Sequence, residues 1–250
     1  MKDIKIIIPA RYKSTRFPGK PLASILSIPM VIRVAKICEE ILNRKHIYIA
    51  TDSKKIINVA DKNNYKSILT SKHNLTGTDR VAEVATKIRG NIFINVQGDE
   101  PLISSKDIKT VINAKIKNKD KVICGYSKLG KNEDSKSNSI PKVVMNEKNE
   151  LIYISRSPIP GSKKKIKEYN KQVCIYAFNK SELKLFKNFN RKGNLEAIED
   201  IEILRFFELK KKVLMVKTNE NSIAVDYPKD IRKVERIIIY NEKRNKRKSI

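Results

Sequence analysis

The chain is poor in the residues that build a metal centre or a disulfide framework, with two histidines and three cysteines in 250 residues. Cys38, Cys124 and Cys174 are widely spaced, odd in number and form no CxxC pair. That excludes a disulfide scaffold and suits a reducing, cytoplasmic compartment. His46 and His73 have no second histidine at a metal-ligand spacing, so both read as surface or structural residues. No apolar run approaches the length needed to span a bilayer, and the short run near the N-terminus is followed by charge instead of a cleavage site. Neither GxxxxGK[ST] nor GxGxxG occurs, which disfavours a Walker-type ATPase and a dinucleotide dehydrogenase.

Positive charge, by contrast, is abundant: 54 Lys and Arg against 27 Asp and Glu, a net charge of +27. Such a balance permits binding to nucleic acid or an anionic membrane and steers phosphate-bearing substrates toward the chain. The excess is spread along the length, so the average lysine reads as solvated surface. Aromatic residues, at 6%, do not interleave with the cations, which leaves a basic nucleic-acid-binding protein as the weaker, non-enzymatic alternative. The segment Asn241–Ile250 lacks apolar residues to pack and is expected to fray as a basic tail.

The first half alternates strand and helix. "IKIIIPA" is apolar without alternation, the pattern of a strand buried on both faces. A helix over Ile28–Leu42, a strand at His46–Asp52, a helix over Lys54–Asn63, a strand at Lys66–Leu69, a helix over Thr78–Ile88 and a strand within Asn91–Glu100 follow. This rhythm predicts an α/β fold with an open, mainly parallel, Rossmann-like sheet. From about 120 to 180 the texture changes to strands joined by turns, an expected insertion in a single domain over 1–240. Helices near Lys180–Phe186, over Leu195–Leu209 and over Pro228–Tyr240 restore the rhythm.

In an open parallel sheet, ligands bind beyond the carboxyl ends of the strands. The loop "ARYKSTRFPGK" places Ala10, Arg11, Arg16 and Lys20 at such an end, with Pro18 and Gly19 to close the turn. Arg supplies a planar fork of donors and Lys a mobile point charge, both suited to phosphate, although an ordinary basic loop is the competing reading. "VQGDE" puts Asp99 at the mouth of another buried strand, and "VDYP" puts Asp226 in a similar place. Two such carboxylates suit Mg²⁺ carrying a polyphosphate, against the simpler reading of turn residues. Thr78, Asp79 and Arg80 in "TGTDR" offer short polar groups for a nucleotide, but helix capping explains Thr78 and Asp79 equally well. Arg156 ends a strand before a Pro-kinked loop. Glu196, Glu199, Asp200 and Glu202 form an acidic patch whose members cannot all face one site.

Taken in order, "IIIPARYKSTRFPGKPL", "LTSKHNLTGTDRVAEV", "INVQGDEPLI", "PKVVMN", "YISRSPIP", "NLEAIEDIEILR" and "VDYPKDI" resemble the cytidylyltransferases that activate 3-deoxy-manno-octulosonate, the acidic sugar of bacterial lipopolysaccharide. The resemblance implies a nucleotide-diphospho-sugar transferase fold and a homodimer assembled through the inserted strands. It also implies Mg²⁺-dependent attack of the sugar's anomeric hydroxyl on the α-phosphate of CTP, with release of pyrophosphate. By the same resemblance, Lys20, Asp99 and Asp226 are the catalytic positions and the two aspartates the metal ligands. Ala10, Arg11, Arg16, Thr78, Asp79, Arg80 and Gln97 would meet the nucleotide. Gln97, Arg156, Gln172, Tyr176, Glu199 and Glu202 would meet the sugar. The chain departs from the family pattern at Gln172, Cys174, Ile203 and Tyr227, which leaves a related acceptor, an amino-substituted octulosonate or a nonulosonate, as the alternative.

Overall fold

The computed structural model describes residues 3–130, 133–163, 168–219 and 223–248. Its first strand, β1 (Ile4–Ala10), is buried along all seven residues. Ile6 and Ile8 enter one apolar layer and Ile7 the other, which is why the run shows no polar alternation. Around it are β2 (Ser24–Ile25), β3 (Ile28–Pro29), α1 (Met30–Glu39), β4 (Ile47–Thr51), α2 (Lys54–Lys62), β5 (Lys66–Leu69), α3 (Gly77–Lys87) and β6 (Ile92–Val96). They are followed by α4 (Ser105–Lys117), β7 (Val122–Lys128), β8 (Lys142–Met145), β9 (Leu151–Ser155), β10 (Asn170–Asn179) and α5 (Lys180–Phe189). The chain closes with α6 (Asn194–Glu199), α7 (Arg205–Glu208), β11 (Val213–Lys217) and α8 (Pro228–Lys248).

The central sheet runs β11-β7-β10-β6-β1-β4-β5. Its pairings are parallel except those of β10, which is antiparallel to both β6 and β7. The strand-rich stretch is therefore not apart from the sheet: β7 and β10 lie within it, and β8 and β9 form the hairpin that stands off its path. Residues of α1, α2 and α4 pack on one face, and those of α3, α5 and α7 on the other.

Two expected boundaries move. The helix expected over Leu195–Leu209 is broken at Asp200, whose φ of 51° and ψ of 47° are left-handed. Asp tolerates this conformation better than most residues, and Arg156 holds the break by donating to the carbonyls of Glu199 at 2.5 Å and Asp200 at 3.1 Å. The last helix does not stop at Tyr240 but continues through most of the segment expected to fray, to Lys248. The end of that segment, 249–250, and residues 164–167 of the lysine-rich loop lie outside the described residues.

Among the described residues the solvated reading of the lysines also fails at Lys5, Lys115, Lys142 and Lys171, all buried, and Lys115 and Lys142 have no exposed surface. Lys142 donates to the carbonyls of Ser137 and Arg156, fastening the hairpin to the loop before it. Among the described residues no helix is long and apolar enough to cross a membrane.

Candidate active site

A cleft of about 570 Å³ opens over the carboxyl ends of β1 and β6, within the range typical of small-molecule sites. The basic loop after β1 forms one lip. Gly19 sits at φ 70°, where a β-carbon is strained, and its N–H donates to the Tyr12 carbonyl at 3.0 Å. The closed turn carries Lys20 into the cleft, where its Nζ meets Asp99 Oδ2 at 2.6 Å and the Val225 carbonyl at 2.9 Å. The Val225 N–H in turn donates to the Asp99 carbonyl at 2.9 Å, so the strand end bearing Asp99 and the segment bearing Asp226 are joined. Arg16 completes the group by pairing with Asp226 at 3.0 Å. Two carboxylates and two cations distant in sequence thus share one mouth.

The other lip is built by α3. Arg80 pairs with Asp52 at 3.3 Å and donates to Thr70, while Asp52 also accepts from the Tyr12 N–H at 3.2 Å. Both Arg80 and the exposed Arg11 border the cleft. Ala10 is buried at the end of β1, with the cleft wall made by its neighbours Pro9 and Arg11.

Beyond β6 the floor is lined by Gln97, Gln172, Cys174 and Tyr176. Gln172 Nε2 donates to the Tyr176 hydroxyl at 3.1 Å. Burial holds the Tyr176 phenol well above its ordinary value, so it remains a hydroxyl and a donor. Burial likewise raises the Cys174 thiol, which argues against a nucleophile even though this side chain reaches the cleft instead of staying in the strand core. Gln97 lies against Gly77, where a β-carbon would come within 2.8 Å of its amide nitrogen. Its Nε2 donates to Glu202 Oε1 at 2.9 Å, and the Thr78 N–H donates to Glu202 Oε2 at 2.8 Å.

The broken helix explains how the acidic patch divides. Glu202 and Asp200 border the cleft, whereas Glu199 faces the β8–β9 hairpin and accepts from Ser155 Oγ at 2.5 Å and the Arg156 N–H at 2.8 Å. Glu196 also borders the cleft, but its carboxylate turns inward to Arg205 at 2.7 Å. Two residues expected at the nucleotide are likewise placed elsewhere. Asp79 closes a capping box with Thr76 and pairs with Arg205 at 2.7 Å, and Thr78 is fully buried with its hydroxyl accepting from Asn95 at 3.3 Å. Capping is the reading that accounts for Asp79. Sequence reasoning gave Arg205 no role; a lone arginine after an apolar stretch carries no local signal of a partner 126 positions away.

Burial above all pushes the Glu202 carboxyl above the ordinary glutamate range, against the pull of the Thr78 N–H. The folded chain then holds that proton more tightly than the unfolded chain. Ionisation costs stability as pH rises through the ordinary carboxylate value toward the raised one, and the cost is fully present above it. Glu202→Gln is expected to melt higher relative to wild type at pH 8 than at pH 4.5. Thermal melts at both values check this, and an equal difference at the two would remove the buried charge as its cause.

A mainly parallel α/β sheet with a basic loop, paired carboxylates and a polar floor over its strand ends defines a Rossmann-like nucleotidyltransferase fold. A family model described as cytidylyltransferase matches residues 5–243. The 3-deoxy-manno-octulosonate cytidylyltransferase of a Nitratiruptor species is 37% identical over 236 residues, covering 92% of this chain and 97% of its own. The Escherichia coli protein of the same description is 30% identical over 239 residues, covering 95% and 97%. A solved structure of CMP:2-keto-3-deoxy-manno-octonic acid synthetase complexed with CTP superimposes with a TM-score of 0.88 at 30% identity, covering 95% of this chain and 99% of that one. The chain belongs to the 3-deoxy-manno-octulosonate cytidylyltransferase family.

Proposed function

We propose that the protein transfers CMP from CTP to the anomeric hydroxyl of 3-deoxy-manno-octulosonate, releasing pyrophosphate. The observation that carries this reading is the joined group of Lys20, Asp99, Arg16 and Asp226 at the cleft mouth, in a chain similar along nearly its full length to relatives of that description. Lys20, Arg16 and Arg11 bind the triphosphate, and Arg80 with its Asp52 partner supports the nucleotide side. Arg156, Gln172, Tyr176 and Glu202, over β6 and β10, receive the acidic sugar. Positioning and charge neutralisation supply most of the acceleration, since phosphoryl-type transfer asks little covalent chemistry of the protein.

Asp99 and Asp226 fit Mg²⁺, because two hard carboxylate donors leave the remaining positions to phosphate and water. When bound, the ion neutralises charge on the phosphates and polarises the α-phosphate. Lys20 and Arg16, paired with these carboxylates, are placed to reach phosphate oxygens.

Of the four departures from the family pattern, Gln172 and Cys174 reach the cleft, Ile203 is buried in the core and Tyr227 lies exposed beneath the Arg16 guanidinium. Gln172 therefore keeps the second reading open, that the acceptor is an amino-substituted octulosonate or a nonulosonate. The exposed Ile152 on β9 and Ile198 on α6 support a homodimer contact near the hairpin. Three free cysteines, all with partly or fully buried side chains, suit a cytoplasmic setting.

Pyrophosphate release with CTP and a panel of acidic sugars tests the assignment. Fastest turnover on the octulosonate is expected; activity confined to another acid overturns it in favour of the second reading. On the same assay, Lys20→Ala is expected to raise KM for CTP roughly tenfold, the scale of one lost charge-assisted phosphate contact, while leaving KM for the acid within about twofold. Equal effects on both substrates would remove Lys20 from the triphosphate.

A further inference from the structure

Arg205 opens α7 beneath the cleft, with no exposed surface. Its fork is divided between two carboxylates. Nε and Nη2 donate to Glu196 at 2.7 Å each, and Nη1 and Nη2 to Asp79 at 2.7 and 3.0 Å. One face of the guanidinium lies 3.8 Å from the Phe186 ring centroid. Asp79 and Glu196 occupy the same place in two helices: each accepts from the backbone N–H of its own N-cap, Thr76 at 2.9 Å and Gly193 at 3.0 Å. Both helices begin at the cleft, where Thr76, Gly77 and Lys192 line the wall. A single cation therefore ties together the starts of two helices, one at each bonding edge of the guanidinium, and both reach the cleft wall.

The two sides depend on it unequally. Helix α3 runs for 11 residues, packs four apolar residues into the core and keeps the Thr76 cap of its own. Helix α6 has six residues, ends at the left-handed Asp200 and presents Ile198 at 79% exposure. Glu196 itself borders the cleft at 1% exposure, and its carboxylate contacts are Arg205 and the Gly193 N–H. Without Arg205 both carboxylates lose their cation: Asp79 keeps the Thr76 N–H and hydroxyl as donors, whereas Glu196, beside the cleft, keeps only the Gly193 N–H. Desolvation drives such a group toward solvent, and the cleft is the open space that Glu196 borders.

We propose that Arg205 is a positioning residue for the acceptor half of the cleft: it keeps the Glu196 carboxylate turned inward from that half and fixes the segment bearing Glu202 against the start of α3. It touches no substrate. The inference rests on the cytidylyltransferase reading, and its consequence is specific to an acidic acceptor, because a released Glu196 repels a carboxylate and leaves the triphosphate side unchanged.

The test compares wild type, Arg205→Met and Arg205→Met with Glu196→Gln, varying CTP and acid separately well below each melting temperature. Arg205→Met is expected to raise KM for the acid roughly tenfold with KM for CTP within about twofold, as follows from misplacing one wall of a site that works by positioning. Adding Glu196→Gln is expected to return the acid KM most of the way to wild type, which a merely structural loss would not show. Proportional rises for both substrates, or no recovery in the double variant, overturn the proposal. Hydrogen exchange of Arg205→Lys, which keeps the charge and loses the fork, decides the matter if Arg205→Met does not fold. It also decides if the wild type turns over no acid in the panel, a result that would sink the cytidylyltransferase reading by itself. Faster exchange over 193–204 with 81–87 unchanged supports the positioning role; a uniform change or none overturns it.

Discussion

Asp99→Asn is expected to lower the rate of CTP-dependent pyrophosphate release by roughly 10³-fold or more while the protein stays folded. The magnitude follows from losing several kcal/mol of charge stabilisation, at about 1.4 kcal/mol per factor of ten. Retention of the fold follows from position: Asp99 stands at the cleft mouth with its side chain about a third exposed, and its backbone carbonyl, untouched by the substitution, still accepts from the Val225 N–H. Asp226→Asn is expected to act in the same direction. The double variant should be scarcely slower than either single one, because residues that act as a unit are strongly non-additive. Steady-state rates over a range of Mg²⁺ concentrations provide the measurement. A near-normal rate for Asp99→Asn at saturating Mg²⁺ would sink the metal role.

The second large effect concerns stability. Lys115→Met is expected to destabilise the fold by roughly 3–5 kcal/mol at pH 8, the cost of leaving one member of a buried ion pair alone. Lys115 Nζ lies 2.8 Å from each carboxylate oxygen of Glu182 and donates to the Lys121 carbonyl at 2.6 Å, with both side chains almost completely enclosed. Burial pushes the lysine down and the glutamate up, and each is kept charged by the other. With the lysine gone, burial acts to raise the Glu182 carboxyl, opposed by the Asn179 N–H and the charge of Lys211. The penalty then grows as pH rises through the ordinary carboxylate range and shrinks at pH 5. Urea denaturation at both pH values measures this, and Lys115→Met with Glu182→Gln should recover most of the loss at pH 8. A single-variant loss below about 1 kcal/mol would show that the pair contributes little. The pair lies at the amino end of β7, the end opposite the cleft, so turnover per folded molecule should be unaffected.

The parts of the fold legible in the sequence were those set by local rules. The unalternating "IKIIIPA" demanded burial on both faces, and β1 has it. Pro18 and Gly19 promised a closed turn, and the left-handed Gly19 supplies it. The strands joined by turns expected within about 120–180 include the β8–β9 hairpin. Other features were illegible because their causes are remote. Nothing between Leu195 and Leu209 forbids a continuous helix by period; the break at Asp200 is held by Arg156, more than forty residues earlier. Asp79 reads as a pocket residue until Arg205 claims it. Lys115 is one lysine among many until the tertiary structure encloses it.

By itself the sequence determined the α/β rhythm, the basic loop and the carboxylates at strand ends, because backbone preference and hydrophobic period act over a few residues. Only the tertiary structure decided which charges face the cleft and which are consumed beneath it. A carboxylate's role depends on the partner that reaches it first, and for Asp79, Glu196 and Glu199 that partner is brought by the packing of distant elements, not by neighbours in the chain.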